Sequence, residues 1–311
     1  MRELFPKPEE EGLRIDAWLS LRYPALSHAD VRRALTKGAL TLRGRPCAKG
    51  ETVRLGEPYV LGWEPSAPDK PLPNRALPLD ILWQDDALIA LRKPAGMNCQ
   101  PNDPAEQDTL ANALLAHFPE VAGVGDSPLT CGVLHRIDRD TSGLVLAARN
   151  QAAYLALRAQ FAARTVVKRY LALVAGEVRA PARLENLLAH NPRAPGRMVD
   201  AEKWRDAKRP MRAVTDYRPL KHLRLGDCPC TLLDVTIRTG VTHQIRAQLS
   251  FAGLPILGDS RYGGPAIEGF PRHFLHARTI DCAHPLTGAP LHFLAPPTDD
   301  LRALVARCVV C

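Results

Sequence analysis

Apolar residues recur at near-helical spacing in "LRIDAWLSLRYPALS", through Leu13, Ile15, Trp18, Leu19 and Leu21. A second helical stretch, "SHADVRRALTKGAL", opens with Ser27 as N-cap and closes at Gly38. The following "ALTLRGRPCAKGETVRLGEPYVL" alternates strand-like residues with glycine turns. Residues 1–63 therefore read as a small module of two helices and a short sheet. Residues 64–76, "EPSAPDKPLPNRA", combine proline with short polar side chains, which cannot sustain a helix and favour an extended linker.

From residue 77 to 311 the apolar runs are short and β-rich. Strands are expected at 132–136, 143–149, 168–175, 213–219, 230–238, 273–282 and 290–295, bounded by Gly, Pro or Asn. Helices are expected between them at 108–117, 151–163, 242–252 and 298–307. The pattern predicts an α+β domain with a central mixed, mostly antiparallel sheet, and no internal repeat.

Composition narrows the class. The 311 residues are 46% hydrophobic and 24% charged, ample for a hydrophobic core without disulfides or metals. Net charge is +8 with pI about 9.2, and the excess is mainly arginine, the side chain best suited to bidentate phosphate contact. Within residues 13–63, nine basic side chains face four acidic ones, so more than half of that net charge falls in this short stretch. A polyanionic partner fits this distribution, as does a merely solvated charged helix face.

No window approaches the roughly 20 apolar residues that span a bilayer, and the N-terminus lacks a signal-peptide core. A cytoplasmic protein is expected, with its eight scattered cysteines as free thiols. Cys228-Pro-Cys230 and Cys308-Val-Val-Cys311 are the pairs closest to a metal-ligand pattern. Only the second has zinc-like spacing, and it lies at a terminus, so no metal is expected.

The chemistry concentrates in "GVLHRIDRDTSGLVLAARN", residues 132–150. Its two apolar runs read as strands, and "IDRDTSG" as the loop that joins them, with Asp138 and Asp140 among Arg136, Arg139 and Arg149. Guanidinium neighbours favour an ionised carboxylate over a protonated general acid, which suits a nucleophile and argues against paired-carboxylate glycoside hydrolysis. Capping a turn and pairing with arginine explains the same residues without chemistry, and the stretch alone does not choose between them.

"HRIDRDTSGLVLAARN" resembles the signature of the RluA family of pseudouridine synthases: His-Arg-Leu-Asp, two variable residues, Thr-Ser-Gly, then an apolar strand. "KRYLALVAG" resembles the second motif of that family and "IRTGVTHQIRAQLSFAGLPILGDSRYG" its third. "ILWQDDALIALRKPAGMNCQP" is similar to the start of its catalytic domain, and "FLHARTIDCAHPLTGAPLHFLAPPTDDL" to its end. "DVRRALTKGALTLRGRP" resembles the alpha-L RNA-binding module first named for a small-subunit ribosomal protein, which makes Arg32, Arg33 and Lys37 the expected phosphate contacts.

The resemblance implies roles residue by residue. Asp138, two after Arg136, would be the nucleophile; Arg136 would enter the RNA stack vacated by the target base. Tyr170 would stack on the flipped uracil and is the family's candidate for removing a proton, while Arg246 would pair with Asp138. The implied reaction is uridine to pseudouridine in RNA, which needs neither metal nor organic cofactor. The expected protein is a monomer acting on large-subunit ribosomal RNA. Alternatives are a transfer-RNA pseudouridine synthase or a catalytically silent RNA-binding or ribosome-assembly factor. Two departures stand out: Val241 replaces the usual arginine of the third motif, and "CQP" follows the Lys-Pro-Ala-Gly turn where the family often has His-Pro.

Overall fold

The computed structural model describes residues 2–23, 28–48, 50–62, 71–194, 196–204 and 207–310. The chain divides into two compact units, residues 1–70 and 71–311. Ser27, the expected N-cap, and Cys311 lie outside the described residues, as do residues 64–70 of the expected linker.

In the first unit, strand β1 (Arg2–Leu4) precedes helices α1 (Ile15–Arg22) and α2 (His28–Thr36), followed by β2 (Leu40–Leu42), β3 (Arg45–Pro46) and β4 (Tyr59–Leu61). The strands form a sheet in the order β1-β4-β2-β3. α1 buries Ile15, Trp18 and Leu19, and the Trp18 ring packs on Tyr59 at 5.0 Å between centroids. Leu4, Val31, Leu35, Leu40, Cys47, Val53 and Leu61 are buried in the same core. Burial of such side chains stabilises by roughly 1.5–3 kcal/mol each. Gly38 ends the second helical stretch with φ +67°, a conformation that glycine adopts without penalty.

The second unit contains β5 (Ile81–Gln84), β6 (Leu88–Lys93), α3 (Leu110–His117), β7 (Ser142–Ala148), α4 (Gln151–Ala162), β8 (Val167–Ala175), β9 (Ala182–His190) and β10 (Met198–Asp200). It continues with β11 (Lys208–Leu225), β12 (Cys228–Ile237), α5 (Gln244–Phe251), β13 (Leu275–Ala283), β14 (Pro290–Leu294), α6 (Asp299–Ala306) and β15 (Val309–Val310). One sheet runs β10-β9-β11-β12-β8-β13-β7-β6-β5, with β14 on β13 and β15 on β11. Among the described residues, β7 pairs with β13 in parallel and the other ladders are antiparallel, the α+β mixed sheet that the sequence pattern implies. Every residue of β7 is buried, which is why its sequence is a continuous apolar run.

Local signals account for the helices. Thr109 caps α3, its Oγ1 accepting from the Asn112 N–H while the Asn112 side chain accepts from the Thr109 N–H. Asn150 caps α4 by accepting from the Ala153 N–H at 2.9 Å.

Three expectations are corrected. Residues 132–136 do not form a strand; only Val133 bridges, to Ala147. The ladder stops because the Leu146 N–H donates to the ring Nε2 of His135 at 3.1 Å, where a strand would offer a carbonyl. Residues 71–76 do not serve as a free linker, since the Leu72 carbonyl accepts from Asn112 Nδ2 at 2.7 Å and the Asn74 N–H donates to the Asn112 carbonyl at 3.0 Å. Strand β11 runs well beyond 213–219, because a register shift between Pro219 and Lys221 absorbs the residue that lacks an N–H. Strands β9 and β10 escaped the sequence pattern: β9 exposes much of its length, and its charged residues break the apolar alternation.

Candidate active site

The segment before β7 is shaped by contacts too close for side chains. Gly132 has φ +76°, and a Cβ there would lie 2.2 Å from the Ala148 carbonyl oxygen. Gly143 has φ +116°, and a Cβ there would lie 2.1 Å from the Ala277 carbonyl oxygen, where β7 meets β13. Between them the Thr141 N–H donates to the Asp138 carbonyl at 3.1 Å, closing a turn. The chain at Asp138–Asp140 is thus turned, not extended, and the two carboxylates differ: Asp138 is partly buried and Asp140 exposed.

Buried polar groups pin this turn. The fully buried Lys93 donates to the carbonyls of Pro94, Met97 and Arg139 at 2.6, 2.7 and 2.9 Å, and burial lowers its pKa to about 8. Thr141 Oγ1 bonds His273 Nε2 at 2.7 Å, and Ser142 Oγ bonds His276 Nδ1 at 2.9 Å. His276 Nε2 faces the Ala295 carbonyl at 3.1 Å, so it carries the proton, and Nδ1 accepts from Ser142. Burial lowers both imidazoles to about 4, which keeps them neutral. Arg272 adds a bond to the Asp140 carbonyl at 3.2 Å and an ion pair with Asp300 at 2.7 Å.

The arginines adjacent in sequence do not meet Asp138. Arg139 Nε donates to the Gly96 carbonyl at 2.9 Å, Arg149 pairs with Glu120, and Arg136 is exposed. The partner of Asp138 is Arg246, 108 residues away on α5, whose Nη1 donates to Oδ2 at 2.9 Å. The Arg246 Nε and Nη2 fork grips Asp259 at 2.7 and 2.8 Å. Burial works to lower the Arg246 pKa, but its hydrogen bonds and the charges of Asp259 and Asp138 outweigh this and push it up. Burial likewise raises the Asp259 carboxyl, and Arg246 overcomes it and lowers the net value. The Arg246 guanidinium also lies 5.3 Å from the Tyr262 ring centroid.

Helix α5 is held so that this fork is aimed. Gln244 Nε2 donates to the Val214 carbonyl at 2.9 Å and Gln248 Nε2 to the Ala213 carbonyl at 3.0 Å, tying the helix to β11. Val241 is half-buried against the small core of Leu188, Met198, Ala213, Ala247 and Tyr262. The residue before the helix, His243, has φ +52° and ψ +22°, an uncommon conformation for a side-chain-bearing residue.

Asp138, Arg246, Tyr170 and Arg136 line one cavity of about 770 Å³, together with His243, Arg158, Lys168, Arg238 and Arg261. Its size suits a nucleoside-sized ligand, and its cationic lining an anionic one. Tyr170, on β8, is buried, and burial followed by the Asp138 charge pushes its phenol upward, so it stands there as a neutral ring. In the first unit, Arg32 and Lys37 are exposed and Arg33 is half-buried on or just after α2. Sequence reasoning missed Asp259, Tyr262, His243, Lys93, His273 and His276. Asp259 and Tyr262 sat in "GDSRYG", the end of the third motif, to which no role was assigned, and a lone buried histidine carries no pattern.

A family model described as RNA pseudouridylate synthase matches residues 87–251. A ribosomal large subunit pseudouridine synthase D of Xanthomonas campestris pv. campestris is 32% identical, over 98% of this chain and 92% of its own length. An RNA pseudouridine synthase of Chloroflexus aurantiacus is 36% identical, over 96% of this chain and 91% of its own. Among solved structures, human RNA pseudouridylate synthase domain containing 1 superposes with a TM-score of 0.60 at 25% identity, covering 77% of this chain and 91% of that one.

Proposed function

The chain belongs to the RNA pseudouridylate synthase family, and from that premise we propose that Asp138 is the nucleophile acting on a uridine flipped out of large-subunit ribosomal RNA. The observation that carries this reading is the Asp138–Arg246–Asp259 array at the cavity wall. A carboxylate with a fixed counter-ion, aimed into a nucleoside-sized space, is what an isomerisation at the anomeric carbon requires.

The reaction breaks the bond from the ribose anomeric carbon to uracil N1 and rejoins the sugar to C5. The hydrogen on C5 leaves and N1 gains one, so atoms balance without redox change. Attack at the anomeric carbon, attack at uracil C6 and deprotonation of the sugar all place a carboxylate at this position. Arg246 supplies the permanent counter-charge. Tyr170, held neutral, presents its face to the base; it takes up a carbon-bound proton only as its own phenolic proton is passed on.

A stacked uridine hides its sugar carbon, so the nucleotide must be extruded at a cost of a few kcal/mol. The exposed Arg136, beside Asp138 on the cavity rim, reaches the space that the base leaves. The basic first unit, with Arg32, Arg33 and Lys37 as phosphate contacts, and relatives named for the large ribosomal subunit favour ribosomal over transfer RNA.

The test is a pseudouridine map of total ribosomal and transfer RNA by carbodiimide primer extension, in cells lacking the gene and complemented with wild type or Asp138→Asn. Sites in large-subunit RNA restored only by the wild type are the expected result. Restoration by Asp138→Asn would overturn the nucleophile, and sites confined to transfer RNA would overturn the substrate.

A further inference from the structure

His243 stands apart from the charged array, with a strained backbone and an imidazole only 12% exposed that lines the cavity. Its two nitrogens face different partners. Nδ1 lies 3.0 Å from the Tyr262 hydroxyl oxygen, which already accepts from the Met198 N–H at 2.9 Å. The arrangement that also uses the phenol proton has it donated to Nδ1, which leaves the ring hydrogen on Nε2. The opposite tautomer would turn a lone pair of Nε2 toward the Asp138 carboxylate. Nε2–H points to Asp138 Oδ1 across 4.0 Å, too far for a direct hydrogen bond.

That gap has the dimensions of one bridging atom. An oxygen about 2.8 Å from both groups subtends about 90° between them, within reach of a hydroxyl oxygen that accepts one bond and donates another. A uracil carbonyl only accepts and a ring N–H only donates, so neither satisfies both sides. An internal RNA nucleotide has one free hydroxyl, at the ribose 2′ position. We propose that His243 Nε2–H and Asp138 Oδ1 clamp the 2′-hydroxyl of the target nucleotide, making His243 the residue by which the site distinguishes ribose from deoxyribose. The inference rests on the pseudouridine synthase reading of this cavity.

The experiment uses two synthetic RNAs carrying the site found by the pseudouridine map, identical except for uridine or 2′-deoxyuridine at the modified position. Single-turnover rates are measured with wild type and His243→Asn, since asparagine tolerates positive φ and its amide is too short to reach the clamp. Wild type is expected to convert the deoxy substrate at least tenfold more slowly, about the worth of a charge-assisted hydrogen bond. His243→Asn is expected to lose about tenfold on the ribose substrate and little on the deoxy one, so that discrimination collapses. Equal losses on both substrates, or no discrimination by wild type, overturn the clamp. Conversion of neither RNA by wild type overturns the underlying reading of the cavity instead. His243→Gly, free of the Cβ penalty, gives the same comparison should His243→Asn fold poorly.

Discussion

Asp138 is held from two sides that use opposite physics. Its own loop is pinned by buried groups that bond backbone and hydroxyl atoms: Lys93 to three carbonyls, His273 to Thr141, and His276 to Ser142. Its far side is a charged array in which Arg246 bridges two carboxylates and stacks on Tyr262. The first arrangement fixes backbone position and depends on protonation states near neutrality. The second fixes charge and direction through a guanidinium that stays cationic at any ordinary pH. A nucleophile that must be both precisely seated and permanently countered needs both.

Removing one partner of the charged side has the largest expected effect. Asp259→Asn leaves the buried Arg246 guanidinium short of one carboxylate and is expected to cost about 3–5 kcal/mol in urea unfolding. Arg246 would then swing toward Asp138 alone, so activity should fall as well. An unchanged unfolding midpoint would show that the array has little to do with holding the fold.

The loop side breaks more gently. Lys93→Met keeps the length of the side chain, orphans the Pro94 and Met97 carbonyls and leaves the Arg139 carbonyl with the Gly96 N–H alone, an expected loss of about 1–3 kcal/mol. The sharper sign is kinetic, because a loosened turn misplaces Asp138 and should lower kcat more than it raises KM.

Acidity separates the two sides most finely. His273 and His276 have folded pKa values near 4, below their ordinary 6.5, because burial disfavours the charged ring. Between those values the unfolded chain binds more protons, so stability rises with pH there and is lost as pH falls from about 6.5 toward 4. The urea midpoint should decline over that window before the carboxylates titrate. His276→Gln should flatten the decline, and an unaltered slope would mean that this imidazole does not contribute.

Much of this was legible because it is local. The helices expected at 108–117 and 151–163, the apolar run of β7 and the prolines and glycines that bound the strands act within a few residues, so spacing alone revealed them, while the Thr109 and Asn150 caps that start those helices were seen only in the structure. The segment 132–136 misled for a physical reason: its apolar residues are buried like a strand, yet a histidine ring takes the hydrogen bond that a strand carbonyl would accept. The motif pointed to Asp138, but the arginines beside it in sequence suggested a local counter-charge that the fold does not use.

The chain's pattern by itself determined the mixed sheet, the helices and the turn that carries Asp138, since these follow from burial period and backbone chemistry over short range. The motif resemblance implied that Arg246 pairs with Asp138, and the tertiary structure alone decided that Asp259 completes the array and that His243 lies against both Tyr262 and Asp138. Those are contacts between segments far apart in sequence, and a charge or a tautomer is set by whatever lies a few ångströms away, which linear spacing does not encode.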